Sequence, residues 1–273
     1  MRQHMPIVES NGIHLHYEER GSGEPLLLIM GLGADGSLWE DHVKAYEQHF
    51  RCILMDNRGS GRSDKPEGPY DTKEMAEDAA GLLDALGIAR AHVSGISMGG
   101  AIAQKLALSH PEKIHSLILN CAWDQCNNYT TRAFEMFRAM ISVSDAQAFT
   151  RMLQLWIFTP DYHEHHMQDL LAREEAGNRH PHPMPVHAFQ AQCDACISHR
   201  TAGRLHEIQA PTLVTAGSRD IFISPHYARR IAETIPNAEL IMFEGSGHTH
   251  HWDQLEAYNE KTLQFMLRHK EAH

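Results

Sequence analysis

GISMGG, residues 95–100, lies between AHVS (91–94) and AIAQKLALSHPEK (101–113), and its reading decides the fold. It contains GxSxG, a pattern that a chain of this length shows by chance roughly one time in ten. The surroundings must therefore say whether Ser97 is a nucleophile held on a strand-to-helix turn or a serine in a glycine-rich bend.

The run before it, AHVSGI (91–96), is one of six near-continuous apolar runs of strand length. The others are PLLLIM (25–30), RCILMD (51–56), HSLILNC (115–121), PTLVTAG (211–217) and AELIMFEG (238–245). Runs of this kind suit parallel strands covered on both faces. The opening IVESNGIHLHYEE (7–19) reads instead as a hairpin, with Asn11-Gly12 as a favoured two-residue turn. There Ile13, Leu15 and Tyr17 alternate with His14, His16 and Glu18.

Helical patterns separate the strands. In TKEMAEDAAGLLDALGI (72–88), Met75, Ala79, Leu82 and Leu86 recur every three or four residues and Gly87 stops the helix; GAIAQKLALSH (100–110) is closed by Pro111. Strands alternating with helices imply right-handed crossovers and one doubly wound sheet, whose sites form at the carboxyl ends of the strands. GISMGG falls where a strand ends and a helix begins, at that edge. From Asp124 to Leu205 the rhythm breaks. Only helix-like segments appear, such as TTRAFEMFRAMIS (130–142), DAQAFTRMLQLWIF (145–158) and VHAFQAQCDACISH (186–199), parted by the turn-rich NRHPHPMP (178–185). A segment this long inside a compact domain needs structure of its own and is often a lid. The expected organisation is an α/β core from 1–123 and 206–273, with an eight-stranded, mostly parallel sheet, and a helical cap, 124–205, inserted after the sixth strand.

Composition narrows the function. With 273 residues and 42% apolar content the chain can fill one large core. A net charge of −11 without a Lys/Arg run disfavours nucleic acid and anionic membranes as partners. Five cysteines, irregularly spaced, argue against a disulfide framework, and the single CxxC of Cys193 and Cys196 is a weak redox or metal signal. The longest apolar run, PLLLIMGLGA (25–34), is too short to span a bilayer, and MRQHMPIVES (1–10) carries no secretory pattern. A cytoplasmic monomer or homodimer acting on a small molecule is the expectation.

A serine hydroxyl is a weak nucleophile and needs a base oriented by a carboxylate. TAGSRDIFISP (215–225) places Asp220 just past one strand, and FEGSGHTHHWD (243–253) places His248 just past the next. The chain order Ser97, Asp220, His248 is the order a nucleophile elbow of this architecture takes. Asp220 competes with Asp124 for the role of acid and could instead cap a helix; His250 and His251 compete with His248, which alone follows the flexible GSG.

GISMGG, the loop MGLGADGSLW (30–39), DNRGSGRSD (56–64), GSRD after a strand and GSGH after the next together resemble the α/β-hydrolase superfamily, capped type. The resemblance is strongest to small carboxylesterases and the 3-oxoadipate enol-lactonase-like group, and covers about residues 5–123 and 205–270. It implies Ser97 as nucleophile, Asp220 as acid, His248 as base, and the backbone amides of Leu32 and Met98 as the oxyanion hole. One departure is visible. Members carry His-Gly where this chain has Met30-Gly31, so the imidazole that normally braces the loop is missing. That bears on where the Leu32 amide sits, not on the reaction class.

The remaining candidates read more plainly. Asp56 and Arg58 are expected to hold a loop through charge-assisted hydrogen bonds. Trp39 and Trp156 are candidate pocket walls as much as packing residues, with Phe134, Phe137 and Leu153 on the apolar faces of a roof. HEHH (163–166), His180, His182 and His187 lack the HExxH spacing and read as a solvated face, so no metal and no cofactor are expected. The expected activity is cleavage of a carboxylic ester or lactone of a small, largely apolar substrate through an acyl-enzyme. Carbon-carbon bond, thioester or amide hydrolysis, or perhydrolysis, on the same triad stands as the near alternative, and a ligand-binding receptor of the same fold as the distant one. Dehalogenase and epoxide hydrolase chemistry is disfavoured, because those relatives carry Asp at the elbow.

Overall fold

A computed structural model describes residues 6–270, so the first half of MRQHMPIVES lies outside the described residues. The chain opens with the hairpin β1 (Ile7–Ser10) and β2 (Ile13–Arg20). Asn11 and Gly12 both take positive φ, 49° and 79°, the conformation that matches a two-residue turn to the twist of its strands. Then follow β3 (Glu24–Ile29), α1 (Glu40–Tyr46), β4 (Phe50–Met55), α2 (Thr72–Ala85), β5 (Ala91–Ile96), α3 (Met98–Ser109) and β6 (Ile114–Asn120). Five helices come next without a strand: α4 (Asn128–Met140), α5 (Ala146–Ile157), α6 (Pro160–His165), α7 (Met167–Asn178) and α8 (Val186–Ser198). The chain closes with β7 (Thr212–Gly217), α9 (Pro225–Thr234), β8 (Ala238–Phe243), α10 (His250–Asp253) and α11 (Leu255–Arg268).

The eight strands form one sheet in the order β1-β2-β4-β3-β5-β6-β7-β8. β1 and β2 run antiparallel to each other, and β2 antiparallel to β4; every other pairing is parallel. Successive side chains of a strand point to opposite faces, and here both faces are dry. Leu27 and Ile29 pack with Val93, Leu119 and the apolar sides of α2, α3 and α9. Leu26 and Leu28 face the other way, toward Trp39, Val43 and Tyr46 near α1 and toward Phe265 and Met266 of α11. Each such leucine, fully removed from water, contributes about 1.5–3 kcal/mol.

Two local expectations meet a different outcome, and for Trp39 the structure decides between the two readings. β8 is the terminal strand of the sheet, and its consecutive Glu239 and Leu240 are both exposed, so neither face of the run AELIMFEG is fully covered. His16 is buried rather than outward-facing, because the loop after β4 folds over β2 and brings Asp56 Oδ2 to 2.9 Å from His16 Nδ1. Trp39 is wholly buried beneath α1 and is packing, not pocket wall.

The helical stretch between β6 and β7 leaves and re-enters the core at one place. Gln125 and Arg200 form an antiparallel bridge, and the Thr201 amide donates to the Asp124 carbonyl at 2.7 Å. No helix among the described residues is long and apolar enough to cross a membrane.

Candidate active site

Parallel neighbours present their carboxyl ends along one edge, and the chain sets its reactive residues there in register. Leu32 follows β3, Ser97 follows β5, Cys121 follows β6, Asp220 follows β7 and His248 follows β8. Strand order therefore turns residues far apart in sequence into neighbours.

Ser97 takes φ 55° and ψ −116°, a conformation rare for a residue with a side chain, at the junction of β5 and α3. The surroundings hold it there. Its amide donates to the Asn120 carbonyl at 2.8 Å, and its carbonyl accepts from the amides of Gly100 and Ala101. The flanking glycines are required by close approach: a Cβ on Gly95 would lie 2.2 Å from the Gly99 carbonyl oxygen, and one on Gly99 2.1 Å from that of Ile29. The Ser97 hydroxyl makes no hydrogen bond among the described residues, and Met98 begins a helix, where first-turn amides lack partners within the helix. The loop after β3 passes directly over the elbow, since a Cβ on Gly31 would lie 3.2 Å from Ser97 Cβ. The Leu32 amide in that loop has no hydrogen-bond partner among the described residues.

Asp220 and His248 are brought together by two loops that grip each other. The Ser218 amide donates to the Phe243 carbonyl at 3.0 Å and the Arg219 amide to the Ser246 carbonyl at 2.9 Å. Asp220 Oδ1 accepts from the amides of Phe222 and Ile223 at 2.8 and 2.9 Å, leaving Oδ2 for His248 Nδ1 at 2.8 Å. Ser97, Asp220 and His248 are 6%, 4% and 6% exposed, so all three are largely screened from water. Burial alone would lower the His248 pKa, but Cys121 and the Asp220 carboxylate beside it outweigh that, and it lies well above 6.5.

The rival residues are engaged elsewhere. Asp124 is buried in an ion pair with Arg230, whose Nε lies 2.8 Å from Oδ2. His250 and His251 lie in the core behind His248, where burial holds both pKa values below 6.5, that of His250 at about 3. Asp56 and Arg58 both hold loops, through separate partners. Asp56 accepts from the amides of Gly36 and Arg62, each at 2.9 Å, and Arg58 grips Asp78 with two bonds of 2.6 Å.

The His-rich helical segment scatters its imidazoles. His163 bonds the Gln154 carbonyl, His165 that of Asp161, and His166 stacks on Tyr162. His180 reaches Asp35 at 2.8 Å, and His187 donates to the Lys65 carbonyl. Ligand-type atoms gather instead in Cys121, His250 and His251, behind His248, and in Glu24, His92 and His115 at the other end of the sheet. Cys193 and Cys196 are buried free thiols whose pKa values burial pushes up.

An aromatic wall stands beside the base. The Phe222 ring lies 5.1 Å from that of His248, Phe137 5.2 Å from Phe222, and Trp156 5.7 Å from Phe137. Trp156 and Tyr129 remain partly exposed, while Phe134 and Phe137 are buried beneath them. Phe222 and Cys121 escaped sequence reading. The first sits two residues past Asp220 in IFISP, and the second ends β6 with φ 42°, but neither position has a local pattern that marks it.

The profile described as alpha/beta hydrolase fold matches residues 24–255. Over 261 residues the chain is 30% identical to a protein of Azorhizobium caulinodans provisionally named carbamate hydrolase RutD, covering 96% of this chain and 98% of that one. Its structure is similar to the enol-lactonase from Burkholderia xenovorans LB400, with a TM-score of 0.88 and 26% identity over 96% of this chain and 100% of that one. It is also similar to Est816, described as an N-acyl homoserine lactone degrading enzyme, with a TM-score of 0.83 and 27% identity over 95% and 100%.

Proposed function

The chain belongs to the alpha/beta hydrolase fold family and is a hydrolase of that fold, and from this premise we propose a cofactor-free serine hydrolase that cleaves a carboxylic ester or lactone. The observation that carries the reading is the 2.8 Å His248–Asp220 bond on the same sheet edge as a strained Ser97 whose hydroxyl has no partner among the described residues. In this reading His248 takes the Ser97 proton as Oγ attacks the carbonyl carbon. Asp220 holds the imidazole with its proton on Nδ1 and stabilises the cation, and the amides of Leu32 and Met98 receive the oxyanion. His248 then gives the proton to the leaving alkoxide. Water, activated by the same imidazole, releases the acid and restores Ser97.

The segment 124–205 is proposed as a cap that sets substrate size, with Trp156 and Phe137 as its apolar roof. Each methylene that fits is worth about 1 kcal/mol, and one that collides costs about as much. With p-nitrophenyl esters, kcat/KM is expected to rise from acetyl to about butyryl and to fall steeply by dodecanoyl, and Trp156→Ala to move the optimum to longer chains. A wild-type optimum at dodecanoyl would remove the lid from this account. Run beside a lactone panel, the same series tests the substrate class.

A second expectation follows from the raised His248 pKa. Only the neutral imidazole can accept the Ser97 proton, so the acid limb of the kcat/KM profile should lie above pH 6.5, with activity increasing as pH rises through it. The stability contributed by this shift has the opposite course: it is full below the pKa of the unfolded imidazole and is lost as pH rises through the folded one. An acid limb at or below 6.5 would show that Asp220 and Cys121 do not outweigh burial at His248, and a profile with no acid limb would contradict the assignment of His248 as base.

The relative named for carbamate hydrolysis favours one further reading, attack on a carbamate carbonyl by the same triad with an amine as leaving group. Turnover of a carbamate with no detectable turnover of esters or lactones would select it.

A further inference from the structure

We propose that Gln192, on helix α8 of the inserted segment, is a positioning residue for the oxyanion hole that braces the loop after β3. This inference rests on the hydrolase reading above and adds to it a residue that no triad or elbow motif contains. The Met30 side chain that leads into the loop cannot brace it, since a thioether does not donate a hydrogen bond.

The loop is tied down at both ends from the core. Asn57 Nδ2 donates to the Met30 carbonyl at 2.9 Å, and Asp56 Oδ1 accepts from the Gly36 amide at 2.9 Å. Between these points the exposed Gly33 takes φ +76°, and its amide donates to Gln192 Oε1 at 3.0 Å. Gln192 itself is fully buried and is fixed from behind, its Nε2 donating to the Arg58 carbonyl at 2.9 Å and to Ser60 Oγ at 3.0 Å. Phe189, one turn earlier on α8, closes the contact: a Cβ on Gly33 would lie 2.9 Å from its ring. One amide of the loop is therefore held by the helical segment while the preceding one, Leu32, stays without an internal partner above Ser97. Holding the Gly33 amide limits rotation of the backbone next to Leu32. An oxyanion donor acts only when it is fixed before charge develops, so the effect belongs to the transition state rather than to substrate binding.

The test compares Gln192→Met, which keeps length and loses the amide, and Gln192→Asn, which withdraws the amide by one methylene, with Gln190→Met as control. Gln190 lies on the same helix but bonds the Arg138 carbonyl and Ser142 at the surface. With p-nitrophenyl butyrate, both Gln192 variants should lose about 10- to 100-fold in kcat with KM within about twofold. Affinity for a butyl trifluoromethyl ketone, whose hemiketal oxygen would occupy the same amides, should fall by a matching factor. A fluorophosphonate should still label Ser97 stoichiometrically, and Gln190→Met should match the wild type. A kcat within about threefold of wild type in both Gln192 variants, or a loss carried entirely by KM, would overturn the role of Gln192 and leave the triad standing. A wild-type chain that neither turns over the ester nor takes the label would overturn the serine hydrolase reading, and this inference with it.

Discussion

Ser97→Ala is expected to lose at least about 10⁴-fold in ester turnover while unfolding within about 2 °C of the wild type. The two halves of that expectation have separate causes. In the proposed mechanism the hydroxyl is the attacking group, so its removal would leave the amides of Leu32 and Met98 with no tetrahedral intermediate to stabilise. The fold does not depend on it, because the hydroxyl makes no hydrogen bond among the described residues. The elbow is held by the Ser97 backbone and by the contacts at Gly95 and Gly99. Alanine keeps the Cβ that already tolerates φ 55°. The measurement is kcat with p-nitrophenyl butyrate beside a thermal melt. A variant that retained more than about a tenth of wild-type rate would show that another group attacks.

The second large effect separates two carboxylates. Asp220→Asn should cost about 10⁴ in kcat. The new amide can still offer its oxygen to the amides of Phe222 and Ile223, but it then turns an NH₂ toward His248 Nδ1 and favours the tautomer that protonates Nε2. That tautomer cannot accept the Ser97 proton. Asp124→Asn should leave kcat within about threefold and act on stability instead, because it uncouples Arg230 from a buried carboxylate. Arg230 is partly exposed and can turn to water, so the cost is about 1–2 kcal/mol. Rate and melting temperature measured on both variants make the comparison, and the reverse ranking of rates would move the acid to the end of β6.

Much of this was legible in the sequence because the signals are local. Asn11-Gly12 specifies a turn by its own φ preferences, the six apolar runs mark six strands, and GISMGG carries its glycines where the elbow demands them. Asp220 and His248 could be proposed because each follows a strand, and the sheet converts that regularity into proximity. Legibility stops where a contact is made across the molecule. His16 alternates with apolar neighbours as an outward residue would, and only the fold of the loop carrying Asp56 buries it. Trp39 and Trp156 are alike as letters, yet one lies beneath α1 and the other on the aromatic wall near His248. Gln192 is the sharpest case. Its partner Gly33 is 159 positions away, and a glutamine on a helix is the least informative of residues until its partners are known.

The bridge between Gln125 and Arg200 has a consequence for the length of the segment it closes. To the sheet, everything between those residues is a single closed loop with a narrow neck. The entropic cost of closing a loop grows only with the logarithm of its length. The five helices can therefore be lengthened or shortened at small entropic cost to the sheet, provided that the contacts they make with the core are kept. Those contacts include Gln192 on the Gly33 amide and the Ile157 carbonyl, which accepts from the Thr249 amide at 3.3 Å next to His248.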